Sequence, residues 1–297
     1  MTGFPDLEAR IAGGEPFSRA DAERVLASPD LVSIGVLGER ARQKRSGDRV
    51  TYGRVAVLTA STATVEVGEA GEVRLGGDAG SVDEARARVH GAVAVAAGRP
   101  VTGFSLADLL ALVGSDHLAL AELARVLRAD GLEAVAAVPL DRLGDTDNAI
   151  EVVRAVLYGG LGAWRVTVDR APLADRLDLI ERAAELQRAT GAVRAFAPLP
   201  RIDPPEAPST GYDDVRTIAV ARLVCGDIPH IQVDWPLYGP KLAQVAIAYG
   251  ADDIDGVAAV DTLSLGHRRS PREDVERQIR AAFADPVERD GRYGVRA

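Results

Sequence analysis

From residue 48 onward, short β-branched and apolar runs alternate with longer segments whose apolar residues recur at helical spacing. The strand-like runs fall at 49–59, 101–104, 133–139, 163–169, 193–198, 230–235 and 256–260. Between and after them, helical spacing predicts helices near 81–97, 106–113, 119–130, 146–158, 173–190, 209–224, 240–249 and 270–284. The strand segments are almost continuously apolar, as expected of strands covered by helices on one face and by a core on the other. Strand–helix alternation of this kind predicts parallel βαβ units, and an α/β barrel, complete or slightly reduced, is the fold class. Two stretches depart from the alternation. Residues 60–80 mix short Val/Thr pieces with glycine and read as a hairpin. Residues 1–47 are helical throughout, with Ser18 and Asp21 at capping spacing. The chain therefore divides into an N-terminal helical segment, 1–47, and a barrel domain, 48–297.

Composition adds exclusions. Of 297 residues, 47% are hydrophobic and 27% charged, the mixture of a globular protein able to bury a core. A net charge of −9 opposes a phosphate backbone, and no basic run interleaved with aromatics offsets it, so nucleic acid is not an expected partner. No basic-then-apolar leader opens the sequence and no apolar run reaches the length of a membrane span; the expected location is the cytoplasm. A single cysteine, Cys225, excludes a disulfide framework within the chain and reads as a small buried hydrophobe.

In a parallel barrel the C-terminal strand ends face the functional mouth, which selects Thr59, Asp169, Asp234 and Asp261 as candidate ligand-binding positions. His230 and Asp234, four apart on a strand, lie on one face about 13 Å apart and form no dyad. The acids Asp252, Asp253 and Asp255 read as turn and capping residues, and Glu288, Arg289 and Asp290 as a solvated or structural ion-pair segment. No histidine or cysteine spacing fits a metal, and no hydrolase, P-loop or dinucleotide signature occurs.

The 31 residues from Gly226 to Gly256, including His230-Ile-Gln-Val-Asp-Trp-Pro-Leu-Tyr-Gly239 and Tyr249-Gly-Ala-Asp-Asp-Ile-Asp255, closely resemble the C-terminal part of the radical S-adenosylmethionine enzymes of the futalosine route to menaquinone. Further likeness lies in Leu186-Gln-Arg-Ala-Thr-Gly191, Ala195-Phe-Ala-Pro-Leu199, Thr210-Gly-Tyr-Asp-Asp214 and Pro286-Val-Glu-Arg-Asp290. A weaker likeness, shared with the deazaflavin synthase relatives, covers Leu31 to Arg42 and Gly47 to Tyr52. The resemblance implies a barrel of the radical S-adenosylmethionine type, whose retained C-terminal strands could still shape a pocket; it adds Gln232 and Asp255 to Asp234 as candidate ligand-binding residues for a futalosine-like molecule. Where that family places a CxxxCxxC loop to hold a [4Fe–4S] cluster, this chain reads Leu58-Thr-Ala-Ser-Thr-Ala-Thr-Val-Glu66, without a thiol. The family's glycine-rich segment is here Asp130-Gly-Leu-Glu-Ala-Val-Ala-Ala-Val-Pro139.

The expectation is a cluster-free homologue of the futalosine-pathway enzymes, with no cofactor of its own and with S-adenosylmethionine binding left open. It would bind a small molecule or assemble, as a homo- or hetero-oligomer, with a pathway enzyme. The rival expectation is an acid/base enzyme acting on a nucleoside or quinone precursor through Asp169, Asp234 and Asp261.

Overall fold

The computed structural model describes residues 3–59, 66–170, 172–202, 209–260 and 271–296. Three helices open the chain: α1 (Pro5–Gly13), α2 (Arg19–Ala27) and α3 (Leu31–Ser46). Ser18 and Asp21 form the capping box expected from their spacing and start α2. The strands follow as β1 (Arg49–Leu58), β2 (Glu72–Leu75), β3 (Val101–Ser105), β4 (Ala134–Pro139), β5 (Arg165–Val168), β6 (Ala195–Pro200), β7 (His230–Asp234), β8 (Asp253–Ala258) and β9 (Asp285–Arg289). Helices α4 (Val82–Ala96), α5 (Leu106–Leu112), α6 (His117–Ala129), α7 (Thr146–Tyr158), α8 (Arg176–Thr190), α9 (Gly211–Val224), α10 (Trp235–Ile247) and α11 (Pro271–Ala281) lie between them.

Strands β1 to β8 pair in order and in parallel, and β2 returns to β1, closing an eight-stranded barrel. The ninth strand runs beside the first half of β1, from Arg49 to Gly53, while β2 takes the second half, from Val55 to Leu58. β9 therefore wedges in at the N-terminal end, beneath β2. The hairpin expected over 60–80, with arms at 64–68 and 71–76, is corrected: residues 60–65 lie outside the described residues, 66–68 form no strand, and β2 pairs in parallel with β1 and β3 instead.

Alternation along the inward faces decides what fills the lumen. Outward positions such as Val73, Val166, Val233 and Ile254 are buried under the helices. The N-terminal helices join the same apolar core through Leu7, Val25, Ile34 and Leu37. Gly38 lets α3 cross the end of α10 closely, since a Cβ there would overlap the Tyr249 carbonyl.

Candidate functional site

Five strands, β2, β5, β7, β8 and β9, carry charged inward residues. Thr51 pairs in register with Asp253, Gln232 with Asp253, and Asp234 with Asp255, so β1, β7 and β8 aim their polar side chains into one lumen. Glu72 and Arg74 on β2, Arg165 on β5 and Arg289 on β9 meet them there, and all seven of the ionic and amide side chains apart from Arg74 are under a tenth exposed.

The contacts form a ladder running up the barrel axis. At the base, Arg289 donates from Nη2 to Asp253 Oδ2 at 2.8 Å and to Asp255 Oδ1 at 3.0 Å, while the Tyr293 ring covers its guanidinium at 4.2 Å. Gln232 Nε2 donates to Asp253 Oδ2 at 2.6 Å, and its Oε1 accepts from Arg165 Nε at 2.6 Å. In the middle, Arg74 reaches Asp255 through both terminal nitrogens, at 2.7 and 3.1 Å, and bonds Glu72 at 2.7 Å through Nε. At the top, Arg165 Nη2 donates to Asp234 Oδ1 at 2.6 Å, and Arg201 Nη1 donates to Asp234 Oδ2 at 3.1 Å. Four guanidiniums, Arg74, Arg165, Arg201 and Arg289, thus face four carboxylates, Glu72, Asp234, Asp253 and Asp255.

Pairing explains how charges survive in a closed lumen. Burial alone would push the Asp255 carboxyl upward, but Arg74, Arg165 and Arg289 outweigh it and hold the group well below the usual carboxylate range. The same carboxylates raise Arg74 and Arg289 against a burial that would lower them. Arg201, at the mouth, is instead lowered, first by burial and then by the neighbouring Arg165. Close approach needs room as well: a Cβ on Gly53 would lie 2.7 Å from Arg289 Nη1.

The sequence-selected residues separate into groups. Gln232, Asp234 and Asp255 share the ladder. Asp169 lies at the end of β5, where Arg142 Nη1 donates to it at 3.3 Å and its own N–H bonds Asp141 at 2.9 Å. Thr59 is exposed just past β1, and Asp261 lies outside the described residues. The turn and capping reading of Asp252, Asp253 and Asp255 is corrected. The strand begins at Asp253, three residues before its expected start, and all three acids are essentially inaccessible. Asp252 pairs with buried Arg222 beneath the barrel. Of the segment around Arg289, the structural ion-pair alternative holds, with the arginine buried rather than solvated.

Of the four ladder arginines, only Arg289 was among the residues singled out from sequence; Arg74, Arg165 and Arg201 were not. Their signal is the period-2 placement of charge in Glu72-Val-Arg74 and Asp253-Ile-Asp255, a pattern that ordinarily marks a solvent face. In a barrel clad outside by helices, the polar face is the lumen.

The chain's residues do not fit a cluster of the kind implied by the family resemblance. Such a cluster needs several thiolates, and Cys225 is the one cysteine present. It caps the end of α9 on the N-terminal side of β7, away from the mouth, and its Sγ donates to the Ile180 carbonyl at 3.4 Å. Burial pushes this thiol up to about 12, the reverse of what a metal-ligating thiolate requires. Among the described residues no group of three or more His, Cys, Asp or Glu stands ready to hold a metal ion, and no helix is long and apolar enough to cross a membrane.

No family model matches the sequence. Among curated proteins, the aminodeoxyfutalosine synthase of Streptomyces coelicolor is 33% identical over 143 residues, covering 40% of this chain and 36% of that protein. The enzyme of the same name from Thermus thermophilus is 34% identical over 135 residues, 41% of this chain and 36% of the relative. A 5-amino-6-(D-ribitylamino)uracil–L-tyrosine 4-hydroxyphenyl transferase from Methanococcoides burtonii is 29% identical over 161 residues, 48% of this chain and 43% of the relative. The matches therefore span under half the length of these relatives. Among solved structures, methylornithine synthase superposes with a TM-score of 0.64 at 13% identity, covering 95% of this chain and 97% of that one. The [FeFe]-hydrogenase maturase HydG of Carboxydothermus hydrogenoformans gives 0.62 at 13% identity, with 95% and 79% covered. By sequence this chain is a partial, divergent homologue of aminodeoxyfutalosine synthase and of the 4-hydroxyphenyl transferases, built on a complete parallel (β/α) barrel.

Proposed function

We propose that this protein is a cluster-free relative of the futalosine-pathway enzymes, working in the cytoplasm as a ligand-binding or partner protein. The supporting observation is the ladder itself. The lumen beneath the mouth is filled by mutually neutralising arginines and carboxylates, and the cysteine lies at the opposite end of the barrel. A ligand would rest on the upper rung, where Arg201 and Asp234 offer a cation and an anion side by side. Such a rung suits a polar nucleoside-like or quinone-precursor molecule, which remains the proposed ligand class. The rival acid/base reading gains nothing from the geometry: Asp169 and Asp234 are both engaged by guanidiniums, Asp169 by Arg142 and Asp234 by Arg165 and Arg201.

Native mass spectrometry of protein purified without oxygen tests this reading. A released nucleoside-like molecule, or a complex with a cluster-bearing relative added in equimolar amount, supports it. A bare chain that forms neither, with and without the relative, counts against it.

A further inference from the structure

A second cleft lies at the other end of the molecule. Its volume is about 870 Å³, and it opens between the α1–α2 connection, the last turns of α3, the second half of α8 and the segment joining α9 to β7. Each of these runs toward the N-terminal end of the barrel, so the cleft is on the face opposite the mouth. One wall is apolar, formed by Ile11, Pro16, Phe17, Leu223 and Ile228.

Its charged residues are unequally engaged. Arg10 is held by Asp21, Glu181 by Arg19, and Lys44 by the Ile11 and Ala12 carbonyls at the end of α1. Among the described residues, Arg45 and Arg188 have no ion-pair or hydrogen-bond partner, and both are exposed. Arg222 is 3% exposed; its Nε donates to the Gly250 carbonyl at 2.8 Å and its Nη2 to Asp252, but its Nη1 has no partner. A buried donor left unpaired is costly, and native structures ordinarily satisfy it. Burial lowers Arg222 and Asp252 opposes that lowering, while Arg45 adds repulsion, so the two guanidiniums sense each other across this wall. An anion between them would both satisfy Nη1 and relieve the repulsion.

We propose that this cleft binds a small amphiphilic anion, a carboxylate or monophosphate on an apolar or aromatic body, with Arg222 and Arg45 taking the anionic group and Pro16 and Phe17 the body. The volume is within the range of small-molecule sites. Glu15, Glu185 and Asp227 also line the cleft, which limits the ligand to low charge and disfavours nucleoside triphosphates. Because the ligand would touch α3, α8 and the α9–β7 segment together, it would tie the N-terminal helices to the barrel. The assignment stands apart from the proposed function and from the mouth.

The test uses the full chain with phenyl phosphate, benzoate and inorganic phosphate as probes, followed by thermal shift and amide chemical-shift titration. Saturable binding of phenyl phosphate or benzoate, perturbing amides of residues 41–45 and 222–228, is the expected result. Arg45→Ala should weaken it about tenfold, the loss of one charge-assisted hydrogen bond, and Arg188→Ala less. Arg201→Ala, at the mouth, should leave it unchanged. No saturable response, an Arg45→Ala variant that binds as well as the parent, or loss of binding in Arg201→Ala would overturn the assignment. Inorganic phosphate binding as tightly as phenyl phosphate would overturn the role of the apolar wall.

Discussion

Arg289 shows most clearly what individual residues do in this barrel. It is 1% exposed, and its guanidinium joins Asp253 to Asp255 while lying under the Tyr293 ring. Removing one partner from a buried ion network leaves the others charged and unsatisfied, which costs more than the network contributes when intact. Arg289→Ala should therefore destabilise the protein by about 3–5 kcal/mol, read as a lower urea midpoint with an unchanged slope. Arg289→Lys should recover only part of the loss, because an ammonium cannot reproduce the fork that spans two carboxylates. Equal stability of wild type and Arg289→Ala would show that the ladder is not holding the fold. Asp252 gives a pH prediction at the same scale. Burial alone would raise its carboxyl, but Arg222, His230 and Ser46 together lower it to about 2. Its folded value thus lies below the unfolded one, so its contribution is fully present above about pH 5 and is lost as pH falls toward 2. Moving the carboxyl from 3.8 to about 2 corresponds to about 2–3 kcal/mol, and Asp252→Asn should flatten that part of the stability-versus-pH curve.

At the scale of elements, the alternation of apolar strands and amphipathic helices was legible because each local signal agreed with the barrel. The capped helix start at Ser18 falls where its spacing to Asp21 placed it, and the helix expected over 209–224 begins within two residues of its expected start. The failures share a cause. Strand β2 is four residues of Glu-Val-Arg-Leu, too short and too polar to declare itself parallel, and its partner on β1 is set by closure of the barrel. The strand β8 opens with Asp253 and Asp255, so its first half looked like a turn until the lumen supplied arginines from three other strands. Local sequence carries which residues alternate, but not which face of the alternation is enclosed. For the same reason the candidate site was only partly legible. Asp234 was reachable from its strand-end position and Gln232 from the family likeness, whereas Arg74, Arg165 and Arg289 are defined by contacts across 34 to 181 residues of chain.

On the scale of the whole molecule, a barrel that superposes over 95% of its length on methylornithine synthase carries an interior tuned for charge neutrality. A polar lumen can be a binding surface or a structural core, and the two make different demands on the mouth. A structural core needs all its charges paired from within, which the four-against-four ladder achieves without any added ion. A cluster-bearing barrel must instead present thiolates, and this chain has one thiol, buried at the far end. Anaerobic reconstitution with ferrous iron and sulfide should therefore yield a colourless protein without stoichiometric iron after desalting. Cys225→Ala is the decisive control. If iron and sulfide are retained by the wild type and lost from this variant, the buried thiol has been recruited by opening of the α9–β7 segment. If they are retained by both, other ligands hold the cluster, and the proposed cluster-free function fails. Neither result alters the ladder, whose stability can be measured separately, so the scaffold and its chemistry can be judged independently.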